Sequence, residues 1–117
     1  MTVDLFAGIA VSDFQRALGW YERLLGAEPS FLAHDTEAVW ELDEHRFVVI
    51  EENHEHAGHA LHTLFVSDLD TIVGEIVGRG LQPTKRETYD NGVRKVTFHD
   101  PDGNEIGFGG GPLDVED

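Results

Sequence analysis

Two stretches of the chain repeat one pattern, and this internal repeat constrains the fold more than any other feature of the sequence. Residues 11–29, VSDFQRALGWYERLLGAEP, and residues 66–83, VSDLDTIVGEIVGRGLQP, both begin with Val-Ser-Asp and end with glycine, two further residues and proline. The two stretches lie about half a chain length apart. A repeat that fills a chain of 117 residues about twice indicates duplication of one supersecondary unit.

Each repeat predicts an amphipathic helix with defined ends. Asp13 and Asp68 are N-cap candidates, because a carboxylate can accept hydrogen bonds from the free N–H groups of a first helical turn. Apolar residues then recur at helical spacing in both copies. Gly26 and Gly80 can adopt the left-handed conformation that ends a helix, and the prolines that follow prevent continuation.

Strand candidates flank each helix. A short apolar strand precedes each one, VDLFAGIAV in the first copy and ALHTLFV in the second. Three further strands follow each helix, at about 29–34, 38–43 and 46–51, and at about 83–89, 93–99 and 104–109. Each module is therefore predicted as β-α-β-β-β. We expect one domain over 1–117, with module one at about 1–53, module two at about 60–111, and ENHEHAGH between them.

Charge is the one extreme feature of the composition. The chain has 23 acidic and 8 basic residues, a formal net charge of −15. Such a surface repels phosphate backbones, so we expect no nucleic-acid partner. It either attracts a cationic ligand or simply maintains solubility. No apolar run is long enough to span a membrane, and the chain contains no cysteine, so we expect no membrane association and a cytoplasmic location.

The ordered set of motifs resembles one superfamily over nearly the whole chain. Val-Ser-Asp at the helix start, WYERLLG at the helix end and DPDGNEIGF before the last strand are similar to the vicinal-oxygen-chelate superfamily, which includes glyoxalase I, extradiol dioxygenases and bleomycin-resistance proteins. The resemblance implies an α+β fold, in which two tandem β-α-β-β-β modules with curved mixed sheets form a half-barrel cup. It also implies a homodimer, although function must be argued from the site.

The resemblance implies four metal-ligand positions in this sequence, and none has a donor side chain. Metal-dependent members place His, Glu, His and Glu on strands that face the cup. Here the matching positions are Phe6, Val49, Leu61 and Gly107. We therefore expect no metal and no other cofactor at the position that the superfamily uses.

Histidines in the linker offer a different metal hypothesis. His54, His56, His59 and His62 lie close together, with acidic neighbours, but their spacings fit no closed zinc pattern. Either they form a displaced transition-metal site or they are ordinary polar linker residues. His62 lies one residue out of register with Leu61, so it points to the opposite face of its strand.

Candidate ligand contacts and catalytic groups come from the predicted strands. The residues expected to contact a ligand are Phe6, Trp40, Phe47, Val49, Leu61, Phe65, Arg94, Thr97 and Gly107. Core packing is the competing interpretation of the aromatic residues. His99 and Glu105 are the candidate catalytic residues, because His99 is a chemically reasonable base and Glu105 shares strand parity with Gly107.

These observations favour a metal-independent protein that binds a cationic or aromatic small molecule. The alternative is a metal-dependent lyase, isomerase or dioxygenase that uses displaced His and Glu donors, or a metal-free catalyst built on His99 and Glu105. A third hypothesis is an interaction module without a ligand, which predicts a filled cup.

Overall fold

The computed structural model describes residues 1–113, which form two helices and eight strands. The order of elements confirms two tandem β-α-β-β-β modules. The bounds are β1 Leu5–Val11, α1 Phe14–Leu25, β2 Phe31–His34, β3 Glu37–Asp43, β4 Arg46–Glu52, β5 Leu61–Phe65, α2 Leu69–Gly78, β6 Lys85–Thr88, β7 Arg94–His99 and β8 Glu105–Gly110.

Both helices begin and end where the repeat predicts. The Asp13 side chain accepts a hydrogen bond from the Arg16 N–H at 3.2 Å, and Asp68 does the same for Thr71 at 3.4 Å. Gly26 follows α1 with φ +74°, a left-handed conformation that glycine adopts without strain. These local caps explain why the same helix forms twice from different apolar residues.

The strands form two four-stranded mixed sheets with the same topology. The first sheet has the order β1-β4-β3-β2 and the second β5-β8-β7-β6. In each sheet the first and last strands of the module are parallel, and the other pairs are antiparallel. Within the described residues the two sheets do not close into a barrel.

Alternation along the strands gives each sheet two chemically different faces. One face packs against the helices and is called the core face; residues such as Ile9, Ile50, Phe98 and Phe108 lie there, in one continuous apolar cluster that spans both modules. The other is called the open face, and it carries Phe6, Phe47 and Val49 in module one and Leu61, Thr97 and Gly107 in module two, as strand parity requires.

A buried polar network joins the two modules. The Tyr21 hydroxyl of α1 donates to the Asp100 carboxylate at 2.8 Å, and burial together with that carboxylate raises the pKa of the phenol above its ordinary value. Asn104 donates to Asp100 and to the Ala10 carbonyl, while the Ala60 N–H donates to Asn104. Asn104 is fully buried, and every polar atom of its side chain is hydrogen-bonded. The turn between β7 and β8 is thereby fixed to module one.

A second contact from the same turn reaches the start of α1. The Asp102 carboxylate accepts hydrogen bonds from the backbone N–H and the hydroxyl of Ser12. Gly58 of the linker packs on Asp102, with φ +91°. The turn, the linker and the β1–α1 corner therefore form one connected unit.

Neither of the two helices in the described part of the chain is long and apolar enough to cross a membrane.

Candidate functional site

A groove of about 480 Å³ lies on the open face of module one. Its floor contains Gly8 and Val49, which pair across β1 and β4, and Phe6 forms one wall. Glu37 and Glu51 add two carboxylates, and His56 of the linker lies at the edge. Aromatic and carboxylate groups therefore line the same concave surface, a combination that suits a cation with a flat apolar body.

Phe6 stacks on Phe47 across the parallel β1–β4 pair. The ring centroids are 4.4 Å apart and the planes are inclined by 8°. Phe47 does not line the groove itself but a larger cavity of about 600 Å³ at the junction of the modules, together with Leu5, Leu64 and Phe65. The stacked pair therefore contributes to both cavities, and half of the Phe6 surface remains exposed to solvent. The structure thus brings the predicted residues Phe6, Phe47 and Val49 together on one face. Phe65, another predicted residue, lines the junction cavity with Phe47.

The open face of module two is built around a glycine. Gly107 pairs with Thr63 on one side and Thr97 on the other. A Cβ atom at position 107 would lie 2.6 Å from Cε of Lys95 and 3.4 Å from Oγ1 of Thr63. A side chain from β7 therefore crosses the glycine, and an ordinary residue at position 107 would displace it. Leu61 lies on the same face, 64% exposed.

His99 and Glu105, the two candidate catalytic residues, pair across β7 and β8. Nε2 of His99 lies 3.3 Å from the Glu105 carboxylate, and Nδ1 contacts the hydroxyl of Thr84. Both members of the pair are partly exposed to solvent. The arrangement can hold and move a proton, which keeps the two residues as catalytic candidates.

Two residues that were predicted to contact a ligand do not lie on the open face. Trp40 is 2% exposed on the core face, packs near Tyr21 and donates its indole N–H to the Ala27 carbonyl at 2.9 Å. Arg94 also lies off the open face and pairs with Asp70 of α2 at 2.8 Å. The placement of both residues in the cup is therefore wrong. Strand parity is the sequence signal for both placements. Trp40 lies three residues from Glu37, and Arg94 lies next to Lys95, so each points to the face opposite that open-face residue.

The linker histidines do not assemble a metal centre. Among residues 1–113, no three His, Asp or Glu side chains are grouped so that they could hold a metal ion. His62 instead lies 3.0 Å from the Gly8 carbonyl through Nε2, off the open face, as the register predicts. Thr63 and Glu37, which are not among the predicted site residues, also lie on the open face. Alternation with Leu61 and Val39 is the sequence signal that indicates both.

Comparisons with known proteins agree with this architecture. Residues 3–108 match the family model described as the Glyoxalase/Bleomycin resistance protein/Dioxygenase superfamily. A solved structure described as a glyoxalase / bleomycin resistance protein from Catenulispora acidiphila DSM 44928 is 58% identical, with a TM-score of 0.92 over 95% of this chain and 100% of that one.

More distant structures share the fold alone. A lactoylglutathione lyase from Agrobacterium tumefaciens is 16% identical, with a TM-score of 0.76 over 95% of each chain. TnmS3, an antibiotic binding protein from Streptomyces sp. CB03234, is 20% identical, with a TM-score of 0.72 over 95% of this chain and 97% of that one. No curated protein matches the sequence.

Proposed function

Because the chain belongs to the glyoxalase/bleomycin resistance protein/dioxygenase superfamily, we propose that it binds a small molecule without a metal ion and acts by sequestering it. The ligand in this proposal is cationic or aromatic. The observation that carries the proposal is the stacked Phe6–Phe47 pair, which contributes a wall to the module-one groove and to the junction cavity. The names of the relatives, which include resistance and antibiotic-binding proteins, support a binding role.

The chemistry of the four implied ligand positions supports metal independence. Phe6, Val49, Leu61 and Gly107 have no side-chain nitrogen or oxygen atom. The space above Gly107 is taken by the stem of Lys95, whose ammonium would repel a divalent cation. These residues do not fit a metal ion, and the proposed activity involves no step that needs one.

The groove supports a cationic aromatic ligand on two physical grounds. An aromatic face attracts a cation within about 6 Å of the ring centroid, with about 0.5–2 kcal/mol per contact. Glu51 lines the same groove and adds a direct coulombic attraction, as does Glu37, which also lies 3.1 Å from Nε2 of His34. The net charge of −15 increases the encounter rate with cations over a longer range.

Titration with proflavine, a planar cationic dye, tests the proposal. We expect saturable binding to the purified wild-type chain by fluorescence. We expect Phe47→Ala to raise the dissociation constant about tenfold, because Phe6 in the groove wall loses the ring on which it stacks. Bleomycin is titrated in parallel, because the name of the relative with 58% identity includes it.

The matched control is Tyr89→Ala, which removes an exposed aromatic ring from the turn between β6 and β7. We expect it to bind proflavine like the wild type. Thermal unfolding of both variants separates a lost contact from a lost fold. Equal affinities for Phe47→Ala and wild type would contradict the assignment, and stoichiometric Zn, Mn, Ni or Fe retained through dialysis would contradict metal independence.

We further propose that the protein is a homodimer. Leu5, Phe6, Leu61 and Phe65, on the edge strands β1 and β5, are each at least half exposed, a pattern more typical of an interface than of a monomer surface. Light scattering is expected to give twice the chain mass of 13.0 kDa. A single-chain mass at all concentrations used for binding would contradict the proposal. A cytoplasmic location and the absence of a nucleic-acid partner stay predictions from composition.

A further inference from the structure

Lys95 is held in an unusual position on the open face of module two. Its Cε lies 2.6 Å, and its Nζ 3.6 Å, from the point where a Cβ of Gly107 would stand. The lysine stem thus lies flat across the backbone of β8 instead of extending into water. Only glycine at position 107 permits this, because an alanine there would push the stem away.

The Lys95 ammonium has no ionic partner within residues 1–113. No carboxylate lies within 4.0 Å of it, and its side chain makes no hydrogen bond to the described residues. Two nearby basic residues do have ionic partners. Lys85 on β6 pairs with Glu87 at 3.4 Å, and Arg94 pairs with Asp70. Lys95 is also half-buried, whereas Lys85 is exposed. A partly dehydrated ammonium without a counter-ion favours an added anion.

Hydroxyl groups complete the surroundings of the ammonium. Thr63 and Thr97 flank Gly107 on the two neighbouring strands, and neither side chain makes a hydrogen bond within the described residues. Two carboxylates lie near Lys95 in the sheet, and both are engaged by other residues. Glu87, opposite Lys95 on β6, pairs with Lys85 at 3.4 Å, and Glu105 lies 3.3 Å from His99. A cation and two free donors therefore face the same point, which is the pattern that recognises an oxyanion.

We propose that Lys95, Thr63 and Thr97 form a carboxylate-binding position above Gly107. This goes beyond the proposed function, because it lies on the other sheet and selects the opposite charge from the module-one groove. A lysine ammonium then provides positive charge in the part of the fold where the superfamily resemblance implies a metal ligand. The carboxylate belongs either to a free small molecule or to an acidic side chain of a second copy of this chain.

Titration with sodium benzoate at constant ionic strength tests the free-ligand source. In amide NMR spectra of the full chain, we expect saturable shifts centred on Thr63, Thr97 and Gly107, and no such shifts with the neutral benzyl alcohol. Lys95→Met keeps the length of the stem but removes the charge, and we expect it to raise the benzoate dissociation constant at least tenfold. Gly107→Ala keeps the charge but displaces the lysine stem, and we expect it to raise the benzoate dissociation constant several-fold.

Arg86→Met is the matched control, since it removes one positive charge from the neighbouring strand, where Arg86 is opposite Val96 and points away from the open face. We expect its benzoate affinity to stay within twofold of wild type. If the carboxylate comes from a second copy, benzoate competes poorly and Lys95→Met instead weakens self-association in light scattering, while Arg86→Met does not. The proposal is overturned if Lys95→Met changes neither benzoate binding nor self-association. Proflavine binding through Phe47 reports separately on the proposed function.

Discussion

Asp100→Ala is expected to lower the free energy of unfolding by about 3–5 kcal/mol, because it leaves several buried polar groups without their acceptor. The Asp100 carboxylate accepts hydrogen bonds from the Tyr21 hydroxyl, from the Asn104 side chain and from the backbone N–H groups of Asp102 and Asn104. All four bonds measure 2.8–2.9 Å, and Asp100 itself is 5% exposed. Urea denaturation followed by circular dichroism measures the loss.

Tyr21→Phe is the comparison for this variant. It removes one donor and leaves the remaining three bonds of Asp100 in place, so we expect a smaller cost of about 1 kcal/mol. Asp90→Ala, in an exposed turn, controls for the loss of a negative charge and should change stability by less than about 0.5 kcal/mol. If Asp100→Ala costs no more than Tyr21→Phe, the network is not the main connection between the modules.

Gly58→Ala is expected to destabilise the protein by about 3 kcal/mol through two separate effects. Its φ of +91° lies in the region that favours glycine, which costs a larger residue about 1–2 kcal/mol. A Cβ there would also lie 2.6 Å from the carbonyl oxygen of Asp102, a backbone atom that cannot move alone. Because Asp102 also binds Ser12, relief of the clash would disturb the β1–α1 corner.

Gly103→Ala separates the two effects. Gly103 has φ +94°, almost the same as Gly58, but a Cβ there would meet no atom within 4 Å. We expect Gly103→Ala to show the backbone cost alone, and thermal unfolding of both variants gives the difference. Equal losses of stability for the two variants would mean that the clash with Asp102 adds nothing to the cost of Gly58→Ala.

The local parts of the fold could be predicted because short sequence signals specify them. Asp13, Asp68 and Gly26 fix the helix ends through contacts within a few residues, and the repeat then fixes the order of strands. Strand bounds differ from expectation by a residue or two at most ends, since pairing with a neighbour, and not composition, decides where a strand stops.

The parts that depend on contacts across the chain could not be predicted in the same way. No local pattern relates Tyr21 to Asp100, because 79 residues separate them. The same limit applies to Lys95, whose position over Gly107 depends on the exact register of β7 and β8. Trp40 and Arg94 lie off the open face for another reason: size and charge alone favour a ligand contact, but the parity of β3 and β7 directs both side chains to the other face.

The turn between β7 and β8 makes the two halves of the duplicated chain unequal. The matching turn of module one, which contains His45, binds Asp4 of its own module, whereas the turn of module two carries Asp100, Asp102 and Asn104 and binds the other module. A chain containing only module one would bury Tyr21 without its acceptor, and a chain containing only module two would lose the groups that Asp102 and Asn104 bind. The two copies of the repeat are therefore mutually dependent, because each supplies polar groups that complete the hydrogen bonds of the other.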